Sequence, residues 1–127
     1  MSIERFGSGG RWEEEVGYSR VVRAGDLVFV AGCTGVDASG DVVPGGAYAQ
    51  ARQACANVVA ALERAGAGPE HLVRTTMYVS DILFWPEVGR AHREAFGADP
   101  PAAAMVQVAA FISHQMLVEI EATAYLG

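Results

Sequence analysis

The residues able to do chemistry in this chain are few, and they are scattered along it. Glu119 and Glu121 stand two apart in a strictly alternating stretch, so both carboxylates project from one face of a strand. A carboxylate held there can orient water for attack on an electrophilic carbon, or it can be an ordinary solvated strand residue. Cys33 follows Gly32 at the end of an apolar run, where a thiol can line a cleft. Sulfur is the strongest nucleophile on offer, because all nine basic residues are arginine and the chain has no lysine. Cysteines in such places more commonly pack, and no histidine is adjacent in sequence. His71, His92 and His114 show neither HxH nor HxxxH spacing, so no metal site is expected. The lack of lysine excludes Schiff-base chemistry, including lysine-bound pyridoxal phosphate.

Composition narrows the field further. The 127 residues, 51% of them hydrophobic, suit a single domain over 1–127 whose core requires neither disulfide nor structural metal. A net charge of −6 without a basic cluster argues against nucleic acid as a partner. The glycines form neither GxGxxG nor a phosphate loop between strand and helix, so no cofactor is predicted. Residues 1–10 lack an apolar signal core, and no run approaches the ~20 apolar residues of a membrane helix, so the expected setting is cytoplasmic, away from membranes, with Cys33 and Cys55 as free thiols.

Positioning the candidate residues requires elements that the pattern supplies. Residues 1–16 are polar and glycine-bearing and read as a loose arm. Residues 18–35 read as a hairpin turning at Gly25-Asp26, its second strand apolar on both faces and therefore central. After a loop at 37–46, apolar residues at Ala51, Ala54, Cys55, Val58, Val59, Leu62 and Ala65 recur every three or four positions and predict a helix over 48–65, stopped by Gly66 and Gly68. Residues 71–80 predict a third strand. Pro86 opens a second helix over 86–96, against which Phe84 and Trp85 are expected to pack. Residues 103–110 and 116–125 complete the set as two strands around the loop 112–115. This order gives an α+β sandwich with both helices on one sheet face. The opposite face, also rich in apolar residues, is expected to be buried in a homo-oligomer.

Three segments, Val28-Phe29-Val30-Ala31-Gly32, Thr75-Thr76-Met77-Tyr78-Val79-Ser80-Asp81 and Val118-Glu119-Ile120-Glu121-Ala122, occur in an order that resembles the Rid family, also called YjgF/YER057c/UK114. The similarity runs from Tyr18 to Tyr125. It implies a chorismate-mutase-like ββαβαββ subunit, a barrel-like homotrimer with small-molecule clefts between subunits, and hydrolysis of reactive enamines and imines to a keto acid and ammonia. Some members also carry an endoribonuclease label. By the same resemblance Tyr18 lines the cleft and Glu119 positions the hydrolytic water, while Ala31, Gly32, Cys33, His92, Ala103, Met105 and His114 surround the substrate. Backbone amides near Cys33 and Met105 would polarise the reacting group, as in an oxyanion hole.

Two departures matter. Ala103 stands where the deaminases carry the arginine that grips a substrate carboxylate through a bidentate fork, and Ala31 stands where they usually carry serine. The implied pocket is roomier and less positive. The expected substrate is then a neutral or bulky imine or enamine rather than 2-aminoacrylate. If another residue replaces the missing anchor, Arg20, His92 and His114 are the places to look. A non-catalytic metabolite-binding trimer is the alternative, and ribonuclease activity a distant third.

Overall fold

A computed structural model describes residues 2–127. Six strands form one sheet in the order β1-β2-β3-β6-β4-β5: β1 is Ile3–Phe6, β2 Val21–Ala24, β3 Leu27–Thr34, β4 Leu72–Val79, β5 Ala102–Gln107 and β6 Val118–Tyr125. Two helices, α1 over Gly46–Arg64 and α2 over Trp85–Phe96, cover one face. The α+β class, the hairpin, both helices and the central place of β3 agree with the sequence reading.

The apolar stripe of α1 buries Ala51, Ala54, Cys55, Val58 and Leu62 against Val28 and Val30 of β3 and Ile120 and Ala122 of β6. Gly66, at φ +81°, ends the helix: its N–H donates to the Glu63 carbonyl and that of Ala67 to the Leu62 carbonyl, the paired bonds of a Schellman stop. Because α1 links β3 to β4 and α2 links β4 to β5, those three strands run parallel, and β6 inserts antiparallel between β3 and β4. The last strand thus becomes the middle of the sheet. The buried Gln50 secures its start, donating from Nε2 to the Gln115 carbonyl and accepting at Oε1 from the Leu117 N–H, each at 2.9 Å.

Three expectations change. Residues 1–16 are not a loose arm throughout: Ile3–Phe6 pair antiparallel with Val21–Ala24, and a single π-helical turn over Glu13–Gly17 buries Glu13. Arg64 pins the intervening chain by donating to the Gly7 carbonyl at 2.7 Å. Trp85 does not pack against α2; it is 61% exposed, and Phe84 alone reaches the core. The strand after Pro101 stops at Gln107, well short of residue 110.

Candidate functional site

The site begins with an irregularity in β3. Val30 pairs with Ala122 and Cys33 with Ile120, so two residues of β3, Ala31 and Gly32, stand opposite the single Glu121 of β6 and make a β-bulge. The bulge reverses the in/out alternation. Val28, Val30 and Cys33 all point to the helix-covered core, and Ala31 and Gly32 are displaced toward the open face.

On β6, alternation puts Val118, Ile120 and Ala122 into the core and Glu119, Glu121 and Thr123 on the open face. The Glu119 side chain lies over Gly32, so closely that a Cβ there would come within 2.5 Å of its Oε2 and 2.7 Å of its Cδ. Gly32 is glycine because the carboxyl occupies that space. Glu119, Tyr18, Ala31 and Gly32 together line a cavity of about 340 Å³. Burial raises the Glu119 pKa, the neighbouring Glu121 raises it further, and Arg20 partly offsets both. Glu121 accepts a 2.5 Å bond from the Tyr78 hydroxyl and lines a second, adjoining cavity of about 210 Å³ with Phe29, Arg74 and Thr76.

Four of the predicted site residues therefore meet. The other five do not join them within one chain. Cys33 faces the core at 3% exposure, its thiol donating to the Ala31 carbonyl at 3.3 Å; burial pushes its pKa up, which leaves it a poor nucleophile. His92 lies on the helix-covered side, sharing a 2.7 Å hydrogen bond with the buried Thr75 hydroxyl and standing edge-on to Phe96. Burial lowers its pKa, so it is a neutral packing residue rather than a cleft acid. Ala103 and Met105 belong to β5, two strands away from β6, where Met105 packs against the core. His114 is exposed in the loop before β6. Among the described residues, no group of three or more His, Cys, Asp or Glu side chains could hold a metal ion.

Arg20, which the sequence offers only as a possible substrate anchor, has a different place in the structure. Its guanidinium sits directly behind the cavity wall, donating to the Gly32 carbonyl at 2.7 Å and to the Tyr18 hydroxyl at 3.0 Å, with Nε 3.4 Å from buried Glu13. Glu13 in turn accepts from both the backbone N–H and the hydroxyl of Ser8. The available signal was spacing: in extended chain, Tyr18 and Arg20 share a face.

Residues 10–126 match the profile of the endoribonuclease L-PSP family. The chain belongs to that family, which is also the Rid or YjgF/YER057c/UK114 family. A YjgF/YER057c/UK114 member from Mycobacterium tuberculosis, solved as a crystal structure, is 47% identical to this Rid chain, covering 98% of it and 99% of its own length with a TM-score of 0.87. The YjgF gene product of Escherichia coli is 32% identical over 85% of this chain and 87% of its own, with a TM-score of 0.79. A Mus musculus relative named 2-iminobutanoate/2-iminopropanoate deaminase is 35% identical over 87% of this chain and 82% of its own length. A relative in this family is thus named for imine deamination.

Proposed function

We propose that this Rid chain hydrolyses the C=N bond of a reactive imine, or of the imine tautomer of an enamine, in the cavity between Tyr18 and Glu119. The observation that carries this reading is the Glu119 carboxyl, half-buried over a glycine with its pKa raised. A more basic carboxylate takes a proton from water more readily. The water oxygen then attacks the C=N carbon, and the resulting carbinolamine breaks its C–N bond to give a carbonyl compound and ammonia.

The charges of the cleft favour a substrate without a free carboxylate. Glu119 lines the cleft and no arginine does, Arg74 belonging to the adjoining cavity with Glu121, and by family resemblance the Ala103 that a neighbouring copy would bring offers no guanidinium to grip an acid. The same charges disfavour a phosphodiester backbone. The open face also carries Leu27 and Phe29 of β3, Val106 of β5 and Tyr125 of β6, all exposed in the single chain. We infer that copies of the chain, three by family resemblance, pack through this face and close the cleft, which in one chain is lined on one side only.

The test is to generate 2-iminopropanoate and bulkier, uncharged imines in situ and follow carbonyl product and ammonia with and without the protein. Faster release from the uncharged imines is expected, and Ala103→Arg is expected to shift preference toward 2-iminopropanoate. Unchanged imine lifetimes throughout, with a ligand that raises the melting temperature and is recovered intact, would overturn this reading in favour of a metabolite-binding protein.

A further inference from the structure

We propose that Arg20 is a positioning residue for this hydrolysis: from behind the cleft it holds the Tyr18 hydroxyl and the Gly32 peptide, which line the cleft together with Glu119, so that Tyr18 presents its proton to the substrate nitrogen. The inference rests on the C=N hydrolysis reading and extends it to the proton that the nitrogen must receive.

The geometry is that of a two-sided clamp. A guanidinium has donors and no acceptor, so the 3.0 Å bond from Nη2 can engage only a lone pair of the Tyr18 oxygen. The Tyr18 O–H then keeps its own hydrogen, and among the described residues it has no acceptor for it. The second arm fixes the bulge: Nη1 donates to the Gly32 carbonyl at 2.7 Å, and the Arg20 backbone carbonyl accepts from the Ala31 N–H at 2.9 Å. Both ends of Arg20 therefore grip the two residues that form the floor beneath Glu119. The arginine is itself held in place by Glu13, and its side chain is only 15% exposed. Lysine could supply the charge, but it could not hold both partners at these angles.

Placed this way, the proton inventory closes. As water adds to the C=N carbon, one water proton passes to the Glu119 carboxylate and the Tyr18 proton passes to nitrogen, giving the carbinolamine. In the second half the carbinolamine hydroxyl returns its proton to the Tyr18 oxygen and Glu119 protonates the departing nitrogen. Carbonyl product and ammonia leave, and both side chains regain their starting states. Arg20 touches neither reacting atom. Its charge also bears on Glu119, whose other charged or titratable neighbours are Glu121 on the same strand, Tyr78 on β4, and Tyr18 and Cys33 across the bulge.

The decisive experiment compares native protein, Arg20→Gln, Arg20→Lys, Tyr18→Phe and the Arg20→Gln/Tyr18→Phe double variant on an uncharged imine, alongside a carbon-13 NMR titration of the Glu119 carboxyl. Arg20→Gln is expected to lower kcat at least tenfold with KM changed less than threefold, and the Glu119 midpoint and the acid limb of the rate profile should move to higher pH. Arg20→Lys should keep the Glu119 midpoint near native while recovering only part of kcat. In the Tyr18→Phe background the further loss from Arg20→Gln should nearly vanish, because the two act as one unit. A full, multiplicative loss in that background, or a folded Arg20→Gln with native kcat and native Glu119 titration, overturns the proposal. Should the native protein hydrolyse no imine, the C=N reading fails on its own, and an unmoved Glu119 titration in Arg20→Gln would still separately refute the coupling of Arg20 to the cleft.

Discussion

At the residue scale, the cleft depends on one side chain that is present and one that is missing. Glu119 can fold over the bulge only because Gly32 has no Cβ. Gly32→Ala is expected to leave stability within about 1 kcal/mol, since the atoms it would strike belong to the movable end of Glu119. It should nevertheless cut imine turnover at least tenfold by displacing the carboxyl, which paired melting curves and initial rates would check. His92 gives a second prediction, with opposite emphasis. Its folded pKa lies below the ordinary 6.5 because it is buried, so the unfolded chain binds the proton first. Its contribution to stability is complete above pH 6.5 and is lost as the pH falls through the folded value. Glu119, with its pKa raised, acts in the other direction, its contribution being complete below 4.5 and lost as the pH rises through its folded value. Urea unfolding from pH 7.5 to 5 should therefore lose less stability in His92→Gln than in the native protein, with imine turnover unaffected at pH 7.5. Glu119 was legible in the sequence because alternation over Val118–Tyr125 is strict. The burial of Cys33 was not, since one inserted residue upstream decides which way it points.

Elements put those residues where they are. The alternation of β6 and the three-and-four spacing of α1 are long, regular signals, and both survive into the structure almost unchanged. The bulge in β3 and the strand at Ile3–Phe6 carry no comparable signal. A bulge is one residue of mismatch between two strands far apart in sequence, and the first strand has a polar, exposed surface that resembles an arm until its partner is known. Trp85 misled for a similar reason: an aromatic at a helix start is read as packing, yet this one faces outward. Because β6 is central and Ile120 is fully buried between α1 and the sheet, Ile120→Ala should cost about 2–5 kcal/mol, measured as a lower urea midpoint with little change in slope. The cost should appear as stability and not as a selective loss of turnover, since Ile120 lies across the sheet from the cleft.

For the whole molecule, the open sheet face is the uncovered surface of the single chain. It joins exposed Leu27, Phe29, Val106 and Tyr125 to the carboxylates of Glu119 and Glu121, a mixture that suits a closed assembly with clefts at its seams. Light scattering at micromolar concentration is expected to give three chains per particle. Phe29→Glu should shift the protein toward a single chain and, by opening the cleft, lower turnover together with assembly. The need for cover on this face was readable from the apolar count of the strands. The number of copies and the residues a partner brings come from family resemblance, because a chain's own pattern does not encode the angle at which copies meet. Hydrolysis in this cleft turns on Glu119 as the group that handles the water. Its most direct test is the rate of ammonia release from an uncharged imine by native protein and by Glu119→Gln, compared at equal folded concentration. A loss of at least a hundredfold in kcat, with assembly and melting temperature preserved, is the predicted result. Equal rates from the two proteins would contradict a role for Glu119 in handling the water.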